Sequence, residues 1–180
     1  MRNAANKLSF NMANKNKLQE VDVIIPSPVG NLGFCLIEEK LATIQFLPSS
    51  KARNPALKKR LEPILAELSA YFRDPRHRFN LALQPSGTRF QKTVWKMMQE
   101  IPSGKTVTYL DLAQRLNTSP RAIGQACRQN PLPILIPCHR VVSKMGLGGF
   151  SGEKEGKFMK IKQDLLQHEA GISTHLPRLW

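Results

Sequence analysis

Leu110-Asp111-Leu112-Ala113-Gln114-Arg115-Leu116-Asn117-Thr118-Ser119-Pro120-Arg121-Ala122-Ile123-Gly124-Gln125-Ala126-Cys127-Arg128 reads as two short helices around a tight polar turn. The C-terminal half is organised by that reading. Leu110 to Leu116 is amphipathic, and Asn117-Thr118-Ser119 interrupts it. Ser119 can cap the next helix with its hydroxyl, and Pro120 suits a first helical position, where no N–H is needed. The second helix runs to Asn130-Pro131, where proline stops it. This is the outline of a helix-turn-helix, which an ordinary helical hairpin shares. The second helix carries small residues at Ala122, Gly124 and Ala126, with Arg121 and Arg128 near its ends. A glycine inside a helix costs roughly 1 kcal/mol against alanine. Close approach of the backbone to another surface, such as a nucleic-acid groove, would justify it.

Downstream, the almost wholly apolar run Pro133-Ile134-Leu135-Ile136 should enter a core, and Pro137 should end it at a turn. Cys138 and His139 follow at once. A thiol at the edge of a packed element, within reach of an imidazole, can become a nucleophile once ionised. A buried inert cysteine beside a surface histidine has the same local sequence.

The chain has 180 residues with 27 Lys and Arg against 13 Asp and Glu, a net charge of +14, so a polyanionic partner is favoured and nucleic acid is the first candidate. The excess is spread over both sides of Thr88, so no single tail explains it. Three cysteines, Cys35, Cys127 and Cys138, form no disulfide framework and contain no C-x-x-C metal spacing, so neither a metal nor a cofactor is expected. No apolar stretch approaches the roughly 20 residues of a membrane span, and the N-terminus lacks the apolar core of a secretory signal. A reducing interior, most simply a cytoplasm, fits these features.

Residues 1–19 are rich in Asn and Lys without clear period and read as a flexible leader. Val21 to Ile25, Leu32 to Glu38 and Leu41 to Leu47 read as strands of a small antiparallel sheet, with a polar connection at Glu39-Lys40. Asn54 to Phe72 has a helical apolar face at Leu57, Leu61, Ile64, Leu65, Leu68 and Phe72, with Pro63 placed to kink or delay it. Phe79 to Leu83 predicts a further strand, and Thr88 to Ile101 a helix broken by Pro102-Ser103-Gly104. The resulting fold class is α/β: a sheet-and-helix part over 20–86 and a helical part over 87–175.

Asn130 to Val142 resembles, almost residue for residue, the active-site signature of the O6-alkylguanine-DNA alkyltransferases. Arg121 to Ala126 is similar to that family's DNA-recognition helix, and Thr106-Val107-Thr108-Tyr109 to its tyrosine segment. Leu165-Leu166-Gln167-His168-Glu169 is similar to its C-terminal glutamate motif. The likeness is specific from about Phe90 to Gly171 and weaker over 21–88. It implies a ribonuclease-H-like N-terminal domain and a C-terminal winged helix-turn-helix domain. The partner it implies is double-stranded DNA containing O6-alkylguanine, with O4-alkylthymine as a further candidate, met by a monomer.

The resemblance also implies roles. Cys138 would accept the alkyl group, His139 would be its base through a bound water, Glu169 would hold the imidazole, and Asn130 would brace the active-site turn. Tyr109 would crowd the phosphate, help rotate the nucleotide out and meet the base. Arg121 would fill the vacated space, and the backbone around Val141 and Ser151 would bind guanine. Ala122, Gly124, Gln125, Ala126 and Arg128 would lie along the DNA, the small residues letting the helix enter the minor groove. The alkyl group lies at the pairing edge of guanine, out of reach of a thiol unless the base is extruded. The thioether product has no easy route back, so one molecule would repair one lesion.

This chain departs from the pattern at Glu153-Lys154-Glu155-Gly156-Lys157, where the family usually has an apolar Gly-Gly-Leu segment, and at Phe150, where it usually has tyrosine. These positions bear on the size of alkyl group accepted. Cys127 reads as an inert core residue, and a solvated helix-end carboxylate is the plain alternative for Glu169. A non-catalytic alkyltransferase-like lesion-binding protein would lack Cys138. A winged-helix regulator that senses alkylation would need a zinc-cysteine domain, for which the cysteines are missing.

Overall fold

Alternating apolar residues in the first described stretch form three antiparallel strands in the order β1-β2-β3: β1 (Val23–Ile25), β2 (Asn31–Ile37) and β3 (Lys40–Leu47). The computed structural model describes residues 21–37, 40–47 and 55–171, with side chains from 59 onward in the last stretch. The expected leader over 1–19, Glu38 and Glu39, the Asn54 start of the first helix and the chain beyond 171 lie outside these. Gly30, at φ 105°, closes the β1–β2 turn in a conformation that suits glycine, and Ser27 and Gly30 exchange backbone hydrogen bonds of 3.0 Å. At the irregularity between Cys35 and Leu36, the Asp22 carboxylate takes the Leu36 N–H at 2.8 Å.

Helix α1 (Pro55–Arg73) runs unbroken through Pro63. Pro63 is exposed, so water can satisfy the carbonyl its ring deprives of a donor. The strand expected over Phe79 to Leu83 does not form. That segment is irregular, with burial alternating residue by residue and a Leu83 N–H bond to Leu81 O at 3.0 Å, and it joins no ladder. The carboxylate of Glu67 pins it instead, accepting from Asn80 N at 2.8 Å and meeting His77 Nε2 at 2.9 Å. Phe79 stacks on Tyr71 with ring centroids 5.3 Å apart. Alternating burial here records one-sided packing of a strap, which a period of two cannot distinguish from a paired strand.

Local capping chemistry sets the helices of the second half. Thr88 and Gln91 form a reciprocal capping box at α2 (Arg89–Gln99), and Thr108 and Asp111 form another at α3 (Tyr109–Arg115). Ser119 caps α4 (Pro120–Arg128), with Pro120 in its first turn. Between α3 and α4 the chain reverses through Asn117 at φ 48°, a left-handed conformation that asparagine tolerates. Two-residue strands β4 (Val107–Thr108) and β5 (Val141–Val142) pair in parallel, Val107 with Val141 and Thr108 with Val142. This short ladder places Tyr109, which follows β4, beside the turn at Cys138–Arg140 that precedes β5. Helix α5 (Lys157–Glu169) completes the described chain.

A single buried cluster runs through both halves, from Val23, Phe34 and Ile44 of the sheet to Trp95, Ile123, Leu132 and Leu165. The sheet reaches the second half through β3. Ile44 N–H donates to Pro131 O at 2.8 Å, Phe46 meets Phe150 at 5.8 Å between ring centroids, and Lys157 Nζ reaches Leu47 O at 3.1 Å. Trp95 is buried and donates its indole N–H to Ala126 O at 2.9 Å. That carbonyl lies in the last turn of α4, where helix acceptors lack intrahelical donors. Trp95→Phe keeps most of the apolar volume but removes the donor. It should lower stability by about 1–3 kcal/mol, read from the urea-unfolding midpoint, with little change in helix content by circular dichroism.

Candidate active site

The active-site turn is built around Asn130. Its side-chain carbonyl accepts from Leu132 N at 3.0 Å, and its Nδ2 donates to Ile136 O at 2.8 Å and to Cys138 Sγ at 3.2 Å. One amide thus closes the loop at both ends and touches the thiol. Inside the loop, Ile134 sits at φ 75°. For a β-branched residue this is strained, at a cost of order 1–3 kcal/mol. The clamp from Asn130, the 2.8 Å Ile136 N–H to Leu132 O bond and burial of the Ile134 side chain hold it there.

Cys138 is 6% exposed, and its sulfur looks onto a cavity of about 530 Å³. Around the opening stand Tyr109, Arg121, Gly124, Arg128, Ser151 and Lys154. Tyr109 donates its hydroxyl to Gly149 O at 3.1 Å. Burial, and then the nearby Cys127 and Cys138 sulfurs, push its phenol well above the ordinary value, so it stays protonated. Gly148, at φ 69°, leaves room for that ring: a Cβ there would lie 2.9 Å from Tyr109 Cε2.

His139 is fully buried, with Nε2 2.8 Å from Glu169 Oε1. Besides His139, three residues donate to the Glu169 carboxylate. Arg140 donates through Nε at 2.9 Å and Nη2 at 2.8 Å, Tyr71 through its hydroxyl at 2.8 Å, and Gly104 through its backbone N–H at 3.2 Å. Burial by itself would raise the Glu169 carboxyl, but the hydrogen bonds from His139 and Arg140, with the Arg140 charge, outweigh it and hold the carboxyl well below the usual range. An ionised carboxylate only accepts, so Nε2 carries the hydrogen and Nδ1 is the bare nitrogen. Nδ1 is buried and has no hydrogen-bond partner among the described residues. Burial pushes His139 below its ordinary 6.5, against the pull of Glu169, and leaves the ring neutral at neutral pH.

The expected site residues fall into place unevenly. Cys138, His139, Asn130, Glu169 and Tyr109 converge. Arg121, Gln125 and Arg128 are exposed on α4, and the Arg128 guanidinium packs so closely over Gly152 that a Cβ there would meet Nε at 2.9 Å. Ala122 and Gly124 are half-buried on the same helix. Gly124 is not required by internal packing, since a Cβ there would come only within 4.0 Å of the Tyr109 ring. Ala126 differs from its expected place on the open face. It is 2% exposed and points inward, where its size suits the contact with Trp95. Val141 is also buried, and its backbone is already engaged: its N–H donates to Cys138 O, and its carbonyl accepts from Lys162 Nζ at 2.7 Å. Ser151 lines the cavity at φ 51°. Cys127 lines the same cavity as Cys138 and is not a wholly interior residue. Burial above all pushes its thiol up, so it stays protonated at neutral pH.

Sequence reasoning missed Tyr71, the Arg140 side chain and Lys162. Lys162 is buried on α5, where its Nζ holds Val141 O, Leu147 O and Gly149 O at 2.7, 2.5 and 3.1 Å. Burial pushes it down to about 8, so it is still charged at neutral pH. A usable signal existed. Lys162 lies between Phe158 and Leu165 on the apolar stripe of the helix, where a solvated lysine would not belong. Among the described residues, no group of three or more His, Cys, Asp or Glu is placed to hold a metal ion, and no helix is long and apolar enough to cross a membrane.

The pH dependence of stability follows from His139. Its folded value is depressed, so the unfolded chain binds the proton more readily, and stability present above the ordinary 6.5 is lost as pH falls through and below it. The urea midpoint should therefore drop on acidification from pH 7 to 5, and His139→Gln should flatten that slope. Glu169 adds a loss of the same sign at lower pH, as its folded value is also depressed.

Comparison with known proteins places this geometry. Residues 89–171 match the family described as the DNA-binding domain of 6-O-methylguanine DNA methyltransferase. A methylated-DNA–protein-cysteine methyltransferase from Haemophilus influenzae is 34% identical over 165 residues, 86% of this chain and 92% of that protein. One of the same name from Methanosarcina barkeri is 39% identical over 153 residues, 81% and 94% of the two chains. A third, from Methanocaldococcus jannaschii, is 52% identical over 77 residues, 42% of this chain and only 46% of that protein. Among solved structures, Mycobacterium tuberculosis OGT in complex with DNA superposes with a TM-score of 0.70 at 29% identity, covering 87% of this chain and 96% of that one. With this agreement over nearly the whole described chain, the protein belongs to the methylated-DNA–protein-cysteine methyltransferases.

Proposed function

We propose that this chain repairs O6-alkylguanine in double-stranded DNA by moving the alkyl group once and irreversibly to Cys138. The observation that carries this reading is the placement of Cys138 Sγ on a cavity large enough for a base, 3.2 Å from Asn130 Nδ2 and one residue from the buried His139–Glu169 pair. Family membership makes the protein a direct-reversal DNA repair methyltransferase, and the geometry supports the residue roles given below.

Bare Nδ1 of His139 is the base. It takes the thiol proton through a bridging water, while Glu169 fixes the ring and its tautomer. The sulfur then attacks the alkyl carbon from the side opposite O6. The S–C bond forms as the C–O bond breaks, the electron pair stays with guanine, and guanine regains one proton. Asn130 Nδ2 points at the sulfur as a hydrogen-bond donor, which favours the anionic form over the neutral one. No group in the site can cleave the resulting thioether, so the reaction is stoichiometric.

Extrusion of the base assigns the surface. Tyr109 stands at the cavity mouth to crowd the phosphate and stack on the base, and Arg121, exposed at the start of α4, fills the gap in the duplex. Gly124 and Ala122 allow α4 close to the minor groove, with Gln125 and Arg128 along it. The backbone at Ser151 holds guanine, while Val141, buried behind the cavity with its N–H and carbonyl both engaged, supports that edge of the site without reaching it. Glu153 and Lys154 at the rim set the bulk of alkyl group admitted, with O4-alkylthymine a further substrate. In this reading residues 20–86 form a ribonuclease-H-like domain and 87–175 a winged helix-turn-helix. One chain carries the complete site, so it acts as a monomer, in a reducing cytoplasm that keeps the thiol free.

Mass spectrometry after incubation with duplex DNA carrying O6-methylguanine tests the assignment. One methyl group should appear on Cys138, and Cys138→Ala should abolish transfer while still binding DNA. Alkylation at another residue, or clearance of lesions by the alanine variant, would sink it. Arg121→Ala should slow repair in duplex at least tenfold, about 1.4 kcal/mol or more of transition-state stabilisation, yet leave reaction with free O6-alkylguanine nearly unchanged. Equal losses on both substrates would remove its role in the duplex.

A further inference from the structure

Tyr71 lies on α1, in the sheet-and-helix part of the chain, 98 residues before Glu169. Its ring is fully buried, and its hydroxyl donates to Glu169 Oε1 at 2.8 Å, the same oxygen that faces His139 Nε2 at 2.8 Å. We propose that Tyr71 is a positioning residue for the transfer reaction, in which its hydroxyl limits the basicity of Glu169 and so keeps His139 a neutral, correctly turned base. This rests on the reading of His139 as the base for Cys138.

The argument is one of competition for a single oxygen. Oε1 accepts from Tyr71, from His139 and from Arg140 Nη2, with Arg140 Nε also at 3.2 Å, while Oε2 takes Arg140 Nε at 2.9 Å and Gly104 N. Each donor draws electron density from the carboxylate and weakens its hold on the imidazole proton. Remove the Tyr71 donor and Oε1 becomes a stronger acceptor toward Nε2–H. That favours the imidazolium, in which Nδ1 is protonated and cannot take the thiol proton. A tyrosine suits this place because burial and the adjacent carboxylate push its phenol well above the ordinary value, so it donates across the whole working range. The charged and titratable groups around the pair are Arg140 from the active-site turn, Lys162 on α5 and Tyr71 on α1, with Cys138 next in sequence and His168 of α5 against the Tyr71 ring. Of these, Tyr71 comes from the part of the chain outside the match at 89–171.

The geometry also fixes Tyr71 without help from the carboxylate. Its ring is bracketed by Phe72, Phe79 and His168 with centroids 5.2, 5.3 and 5.2 Å away. The hydroxyl is therefore aimed by packing, as a positioning role needs. Tyr71→Phe keeps that packing and deletes one oxygen.

The test is the pH profile of single-turnover methyl transfer from an O6-methylguanine duplex, together with an NMR titration of the His139 ring. In the wild type the rate should fall on the acid side as His139 takes a proton. In Tyr71→Phe that limb should move up by about one pH unit, in step with the His139 titration, since a single hydrogen bond to a charged group is worth shifts of this order. Phe79→Leu, which loosens the same ring cluster but leaves the hydroxyl, serves as the control for stability. It should lower the melting temperature without moving the limb. Superimposable profiles for wild type and Tyr71→Phe would overturn the proposal, and so would an equal displacement in Phe79→Leu. Should Tyr71→Phe fail to fold, Tyr71 replaced by 3-fluorotyrosine, a more acidic donor, should displace the limb downward, and an unmoved limb would again count against it. A wild-type profile that does not follow His139 at all would instead refute the role of that histidine.

Discussion

The buried carboxylate of Glu169 is the constraint on which the rest of the structure depends. It lies at the C-terminal end of α5 and collects four donor residues from three separate segments: His139 and Arg140 from the active-site turn, Tyr71 from α1, and Gly104 from the loop after α2. A charge taken out of water must be repaid by well-placed donors and an opposite charge, and breaking such a set by removing one member leaves the others stranded. Each segment is therefore fixed relative to the others by the requirement to satisfy one anion. The turn bearing Cys138 inherits its position from that requirement.

A second anchor comes from the same helix, about two turns before Glu169. Buried Lys162 ties together the carbonyls of Val141, Leu147 and Gly149, and Asn130 closes the loop that holds strained Ile134. The active-site turn is thus tied to a buried anion and a buried cation, each held by several hydrogen bonds. Such an arrangement is rigid before substrate arrives, which matches a protein that reacts once and has no later turnover to preserve.

Legibility in the sequence tracked the range of the interaction. Ser119 and Pro120 mark the start of α4 because a cap is a contact between residues three apart. The apolar run ending at Ile136 went into the core, and the cysteine after it came to a cavity edge, since both follow from local pattern. The Phe79 to Leu83 strap was misread because alternation reports which side is buried and not whether a neighbouring edge exists. Tyr71 and Arg140 were invisible as partners of Glu169 because the contacts span 98 and 29 residues and neither position breaks a periodic pattern. Ala126 was assigned to the outer face by its size alone, whereas small side chains serve equally where an indole must come close. The family signature located the reacting residues but not the framework that tunes them.

The two-residue parallel ladder between β4 and β5 has a further consequence. Tyr109 and α3 begin where β4 ends, and Cys138 to Arg140 stop where β5 begins, so this ladder, with the 3.2 Å bond from Asn130 after α4 to the Cys138 sulfur, ties α3, α4 and the sulfur together. There is almost no slack between them. A connection so short acts as a gauge: it sets how far a nucleotide must travel from its helix before the sulfur is within bonding distance. In the proposed reaction, a base that remains stacked falls short of that mark whatever its chemistry.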